Sequence, residues 1–376
     1  MSARVLVIAG ASQSLVNFRR PLLRELLSRG HDVVASAPAD PNSPEVRSKL
    51  EEDGIRFEPA ALERNGLNPI GDLRAIQSLT SVIREARPDR ILAYMTKPVV
   101  YGGIAARQSG DVPFFPMITG LGYPFAENGG LRQGVVHLLV KNLYRYGLKS
   151  ARCVIFQNEE DRTLFQSQGL IPEGVNSRRV FGSGVDLERF SPQPLPPEPN
   201  FLMLSRLLVA KGVREYADAA RRVKEVHPSA RFWLAGPPVP GATGIARSLL
   251  AEREAEGVIE YLGRLDDVRP TLARSRFVVL PSYYREGVPR SLLEGLATGR
   301  PIITTDTVGC RDTVDDGRNG LLVPPRDPHA LEGAMLNLLN ASEERVSAMA
   351  RASLALARER FDVRVVNGEI LSAMDL

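Results

Sequence analysis

Short, continuous runs of β-branched and aliphatic residues alternate with helix-like stretches along the whole of this chain. The runs fall at 4–9, 32–37, 90–95, 114–118, 153–157 and 179–181, then at 201–205, 231–235, 259–262, 277–280, 302–305 and 320–323. Most are apolar throughout rather than alternating apolar with polar. A strand has this pattern when helices cover both faces of its sheet, as happens when the sheet is parallel. Repeated strand–helix–strand units predict a doubly wound α/β architecture.

The pattern breaks once, at 191–200, which reads S-P-Q-P-L-P-P-E-P-N. Five prolines in ten residues suit neither a helix nor a central strand, so this segment is read as an interdomain linker. It divides 376 residues into two domains of ordinary size, 1–190 and 201–357, with 358–376 following the final helix of the second. Neither half carries G-x-G-x-x-G. Gly10-Ala11-Ser12-Gln13-Ser14, after the first run, is either a tight strand–helix turn or a ligand loop.

Composition narrows the function. No apolar run reaches membrane-spanning length, and the N-terminus reads as a first buried strand rather than a signal peptide. Two cysteines, Cys153 and Cys310, are too few for a disulfide framework or a zinc site. They are expected to be buried thiols in a reducing cytoplasm. The four histidines show no ligand spacing, so no metal site is expected. Residues 1–150 hold 19 Lys/Arg against 14 Asp/Glu, although the whole chain nets only +4. A basic first half suits a diphosphate or an anionic membrane surface better than nucleic acid.

The stretch 281–306 is the richest in chemistry: P-S-Y-Y-R-E-G-V-P-R-S-L-L-E-G-L-A-T-G-R-P-I-I-T-T-D. Glu286 and Glu294 flank a Gly-Val-Pro turn expected to open a helix. With both on that helix they would face nearly the same way, roughly 12 Å apart along its axis. Two acids so placed could hold separated hydroxyl sets of one elongated ligand, while the helix N-terminus receives a phosphate. The bare pair would equally suit a solvated helix face. Earlier, 205–212 reads S-R-L-L-V-A-K-G. Arg206 ends a strand and Lys211 precedes a helix, on the edge where open α/β sheets bind ligands. They are either solvated loop cations or a fork and a point charge for a diphosphate.

Taken together, 281–306 and 205–212 resemble the donor-binding motifs of retaining glycosyltransferases of family 4. The resemblance implies the GT-B fold: two Rossmann-like domains facing across a cleft, with the tail 358–376 packing back on the first. It implies that Arg206 and Lys211 hold the donor's diphosphate and that Glu286, with the Gly287 and Val288 N–H groups, holds the donor sugar. Glu294 would hold the ribose. Arg264 and Leu265, after a further family-like strand, would line the nucleobase pocket. The family's retention of configuration is ascribed to front-face attack, the leaving phosphate helping to remove the acceptor's proton. No general base, metal or cofactor is then needed beyond the nucleotide sugar, expected to be UDP-linked.

Three segments of the first half, 14–20 (S-L-V-N-F-R-R), 96–102 (T-K-P-V-V-Y-G) and 118–125 (I-T-G-L-G-Y-P-F), resemble a subgroup of that family. The subgroup acts on polyprenyl-diphosphate-linked saccharides in capsule, O-antigen and lipid-linked oligosaccharide assembly. The resemblance implies acceptor contacts from Ser12, Asn17, Arg19, Arg20, Lys97, Thr119 and Gly120. Arg19 and Arg20 could instead be helix-surface charges. Many family members carry a histidine in the loop where this chain has Thr119-Gly120; the subgroup it resembles shares this chain's substitution.

In 131–152, His137, Lys141, Arg145 and Lys149 recur every fourth residue with no acid among them, opposite Val136, Leu139, Val140, Leu143 and Leu148. This is either a helix lying on anionic lipid at the inner face of the cell membrane or one packed on the sheet with a solvated basic face. The leading expectation is a glycosyltransferase. A GT-B nucleotide-sugar 2-epimerase is the alternative, and a non-catalytic binding protein on the same fold is the third reading.

Overall fold

The computed structural model describes residues 2–63, 68–121 and 131–376, with only the backbone for 131–135. Contacts divide the chain into two compact units, Met1–Ser183 with Val363–Leu376, and Gly184–Asp362.

The first unit holds β1 (Arg4–Ile8), β2 (Asp32–Pro38), β3 (Arg56–Ala60), β4 (Arg90–Tyr94), β5 (Phe114–Ile118), β6 (Cys153–Phe156) and β7 (Asn176–Arg179). They form one parallel sheet in the order β3-β2-β1-β4-β5-β6-β7, with Leu6 in register with Val34 on one side and Ile91 on the other. Successive side chains of one strand enter different cores: Leu6 and Ile8 join Ile91 and Ala93 in one cluster, Val5 and Val7 join Leu92 and Tyr94 in another. Two covered faces therefore require the unbroken apolar runs seen in the sequence. The C-terminal helix Val363–Ala373 closes the second cluster through Val366, Ile370 and Leu371, and Arg90 Nε donates to the Met374 carbonyl at 2.8 Å.

The second unit repeats the plan with β8 (Asn200–Leu204), β9 (Arg231–Ala235), β10 (Glu260–Tyr261), β11 (Phe277–Leu280), β12 (Ile302–Thr305) and β13 (Gly320–Val323), in the order β10-β9-β8-β11-β12-β13. The proline-rich 191–200 lies within this unit. Its prolines have no N–H to give to a ladder, and guanidinium groups take several of its carbonyls. Arg300 donates to the Pro194 and Gln193 carbonyls at 2.9 and 3.2 Å, Arg276 to the Pro196 carbonyl at 2.6 Å. Burial pushes the Arg300 pKa down to about 10.

Three strands differ from expectation, all at sheet edges. β3 was not anticipated, because R-F-E-P-A interrupts its apolar residues with a charge and a proline; on an edge strand Pro59 sacrifices no ladder bond. β7 is N-S-R-R, three residues before the apolar 179–181. β10 is only two residues long. Edge strands bury little, so hydrophobicity marks them poorly.

Candidate functional site

In the second sheet β8 stands between β9 and β11, so the chain leaves β8 toward one side and β11 toward the other. This reversal is the switch point at which open parallel sheets leave a crevice beyond their strand ends. Arg206 follows β8, and the 281–289 loop follows β11. The crossover thus brings together two motifs separated by most of the second domain's sequence.

The Arg206 side chain is exposed and makes no ion pair among the described residues, whereas Lys211 is 8% exposed and sits on the single turn Val209–Lys211. Lys211 Nζ lies 2.5 Å from Glu286 Oε2, and Ser282 Oγ donates to Glu286 Oε1 at 2.7 Å. Gly212, with φ +80°, closes that turn against the loop. A Cβ there would fall into the Pro281 peptide, 2.7 Å from its carbonyl carbon, so glycine is required for the Lys211 turn to meet the Glu286 loop.

Glu286 and Glu294 do not share a helix, contrary to the expectation from their spacing. The helix is Arg290–Ala297, preceded by Pro289 in extended conformation (φ −65°, ψ 119°). The proline fixes its own φ and disfavours the α region at Val288, so the helix starts after it and Glu286 lies on the loop. Two different devices therefore hold the two acids. Glu294, one helical turn on, takes Arg290 Nε at 2.9 Å, and burial raises its pKa against the lowering influence of Arg290. The Gly287 and Val288 N–H groups have no acceptor among the described residues. Arg264 and Leu265 follow β10 on the same sheet edge. Arg264 is exposed and only loosely opposed by Asp266 at 3.8 Å, while the preceding Gly263 carbonyl is fixed by the Gly236 N–H at 2.8 Å.

Several supporting residues carry no motif of their own. Thr305 Oγ1 donates to the Ser282 carbonyl, and Thr307 Oγ1 does so at 3.1 Å. The Lys211 ammonium stands 5.7 Å from the centre of the Tyr284 ring, whose phenol pKa is raised by burial. Ser282 and Arg290 could have been found at i−4 and i+4 from Glu286 and its neighbour. The threonines could not, because only the β11–β12 pairing brings them under the loop.

In the first unit Ser12, Lys97, Thr119 and Gly120 lie beyond the ends of β1, β4 and β5, on one sheet edge. Ser12 is buried and donates to Asp40 at 2.6 Å. A π-helical turn, Leu15–Arg19, carries exposed Asn17 and turns Arg19 inward, its Nη2 2.9 Å from Met117 Sδ and its guanidinium 5.2 Å from the Tyr94 ring centre. Arg20 turns away to Asp53, with contacts of 2.5 and 3.0 Å that hold the Asp53 pKa at about 2. Lys97 pairs with Asp72 at 3.0 Å. Thr119 and Gly120 are half-buried, and the last four residues of the 118–125 segment fall outside the described residues.

On helix Leu131–Gly147, Val140 and Tyr144 are buried and Val136 and Leu143 pack partly against the core, whereas Leu139 is exposed, not on the buried face as expected. Leu138 is exposed beside it. Arg145 donates to the Gly169 and Gln168 carbonyls, and Lys149 stands 5.3 Å from the Tyr146 ring centre. No helix among the described residues is long and apolar enough to cross a membrane.

Residues 198–341 match the family described as Glycosyl transferases group 1, and residues 4–158 the one described as Glycosyl transferase 4-like. Over 357 residues, 92% of this chain and 91% of the relative, the sequence is 27% identical to the N,N'-diacetylbacillosaminyl-diphospho-undecaprenol alpha-1,3-N-acetylgalactosaminyltransferase of Campylobacter jejuni. It is 26% identical, over 76% of each chain, to the UDP-Gal:alpha-D-GlcNAc-diphosphoundecaprenol alpha-1,3-galactosyltransferase of Escherichia coli. Anabaena HepE in complex with UDP-glucose superposes with a TM-score of 0.76 at 19% identity, covering 99% of both chains. Sucrose-phosphate synthase from Thermosynechococcus elongatus does so at 0.80 and 18%, covering 99% of this chain and 98% of that one. These structural likenesses establish the GT-B fold. Both sequence relatives are sugar transferases, which leaves the 2-epimerase alternative without support.

Proposed function

The chain belongs to the group 1, family 4-like glycosyltransferases, and on that premise we propose that it moves a hexose or N-acetylhexosamine from a UDP-sugar to a polyprenyl-diphosphate-linked saccharide. The observation that carries this reading is the cradle at the second sheet's switch point. It joins Lys211, buried and paired with Glu286, to the Gly287 and Val288 N–H groups, which have no acceptor among the described residues, with Arg206, which makes no ion pair among the described residues, at the end of the neighbouring strand. Such a set stabilises the charge that develops on a departing nucleoside diphosphate.

Arg206 and Lys211 hold the two phosphates. Glu286 accepts hydrogen bonds from the donor sugar's hydroxyls while the Gly287 and Val288 N–H groups face its oxygens, and Glu294 accepts from the ribose. Arg264 and Leu265 border the nucleobase. Reaction keeps the α configuration: the C1–phosphate oxygen bond breaks, the acceptor oxygen joins the same face of C1, and its proton passes to the leaving phosphate oxygen. These groups supply the charge stabilisation without a metal ion. Exposed Asn17 and half-buried Thr119 and Gly120 meet the acceptor, while Ser12 and Arg19, expected from the sequence to touch it, are buried against Asp40 and Met117 and support that edge from within. Arg20 and Lys97 reach its diphosphate by exchanging Asp53 and Asp72 for it.

The two sequence relatives act on undecaprenol-linked acceptors, and this supports a lipid-linked acceptor here. Exposed Leu138 and Leu139 near Lys141 support docking of the first unit on anionic lipid at the inner face of the membrane. Equal, weak co-sedimentation with neutral and anionic vesicles would remove that part. The central test is ligand-observed NMR with UDP, GDP and their sugars on the wild type and Lys211→Ala. One UDP-sugar should bind the wild type and be lost in the variant. Absence of nucleotide binding, even with a lipid diphosphate present, overturns the reading.

A further inference from the structure

Part of the seat of the loop bearing Glu286 comes from a turn elsewhere in the sequence. After β12 the chain runs Asp306-Thr307-Val308-Gly309-Cys310 and passes beneath it. Thr307 Oγ1 donates to the Ser282 carbonyl at 3.1 Å, so the turn grips the loop at its start. At the other end Gly309 (φ +79°) lies against the Gly287 peptide. A Cβ on Gly309 would overlap the Gly287 carbonyl, 2.7 Å from its carbon and 3.0 Å from the Glu286 carbonyl oxygen. These are backbone atoms, so no side-chain rotation relieves the overlap. The loop or the turn must move by an appreciable fraction of an ångström or more.

We infer that Gly309 and Thr307 are positioning residues, and that the Thr307–Gly309 turn sets the height of the Glu286–Val288 backbone and with it the fit of the donor's sugar. The inference rests on the nucleotide-sugar reading for its functional consequence, though not for its geometry. Arg206 and Glu294 belong to other segments, Arg206 to the end of β8 and Glu294 to the helix, whereas Lys211, on its own turn, touches the loop through Glu286. The turn therefore acts on the sugar end of the donor and leaves the nucleotide end in place. Positioning errors of this size near a reacting centre weigh heavily on turnover.

The experiment compares Gly309→Ala with Gly317→Ala. Gly317 has a nearly identical left-handed backbone (φ +74°), but nothing lies within 4 Å of an added Cβ, so it incurs the same backbone strain without displacing the loop. In Gly309→Ala the backbone amide resonances of Glu286, Gly287 and Val288 should shift while those of Arg206 and Glu294 hold. The Kd for UDP should stay within about threefold of wild type, and kcat with the UDP-sugar should fall ~30-fold or more. Gly317→Ala should leave all three near wild type. Thr307→Val, which adds no bulk at Gly309, should lower kcat in the same direction by a smaller factor, and it decides the matter if Gly309→Ala does not fold. Unmoved Glu286–Val288 resonances, turnover in Gly309→Ala equal to that of Gly317→Ala, UDP affinity lost in parallel with turnover, or unaltered kcat in Thr307→Val would each overturn the inference. Should the wild type bind no nucleotide, the proposed function fails, but the amide resonances still judge the seat.

Discussion

Lys211 Nζ and Glu286 Oε2 lie 2.5 Å apart, with side chains only 10% and 13% exposed. Each is a counter-ion for the other. On the proposed reading a donor diphosphate gives Lys211 a second anion to serve, and the Ser282 hydroxyl keeps Glu286 in place while that happens. The pair thus fixes the geometry of both charges within the fold.

Breaking it from one side should harm both stability and activity. Lys211→Ala strands a buried carboxylate, at a cost of about 3 kcal/mol in urea denaturation, and removes one preorganised charge, lowering kcat ~100- to 1,000-fold. Adding Glu286→Gln should restore most of the stability and none of the turnover. Near-wild-type kcat in Lys211→Ala would sink the assignment.

Ser282→Ala tests the other carboxylate oxygen. Losing one hydrogen bond to an ionised group costs about 1.5–3 kcal/mol where the group stays buried. Here it should appear as a roughly tenfold fall in kcat, since 1.4 kcal/mol is one decade. UDP affinity, read by calorimetry, should change little.

Glu294 sets a pH dependence. Burial raises its pKa above the ordinary glutamate value, and Arg290 only partly opposes this. On the proposed reading the ionised form accepts ribose hydroxyls, so UDP affinity should decline as pH falls through the raised pKa, starting at higher pH than an ordinary glutamate would allow. Glu294→Gln should bind UDP more weakly at neutral pH and lose this dependence. The sign for stability is opposite. A carboxyl whose folded pKa is raised contributes stability while protonated, and loses it as pH climbs from the unfolded pKa through the folded one. Glu294→Gln should thus melt slightly higher than wild type at neutral pH; an unchanged or lower melting temperature would contradict the burial argument.

Asp53 behaves the other way. The Arg20 hydrogen bond, with Arg24 adding to it, brings its pKa down to about 2. Its stabilisation is complete above the unfolded value and is lost as pH falls through the folded one. Asp53→Asn should cost about 1–2 kcal/mol at neutral pH, discounted for partial exposure of the arginines. That difference from wild type should vanish as pH drops from about 4 to about 2.

Much of this was legible in the residues. Val5, Leu6, Val7 and Ile8 are apolar without alternation because both faces of β1 are covered, and a run like that fits few folds. Arg206, Lys211, Glu286 and Glu294 stood out because local spacing put them at strand ends and beside a turn. The charges of Arg20 and Lys97 were visible too, but not that Asp53 and Asp72 engage them, since those partners come from a turn and a helix elsewhere in the chain.

The sequence by itself determined the parallel α/β class, the strands of both sheet centres and which charged residues stand at strand ends and turns as candidates for a donor site. These follow from periodicity and short-range spacing, which the chain carries locally. Only the tertiary structure decided that Glu286 bonds Lys211, that Thr305 and Thr307 hold the Ser282 carbonyl, and that Gly309 underlies Gly287. Each of these is a contact across strands β8, β11 and β12, and such contacts depend on strand order, which no local pattern encodes.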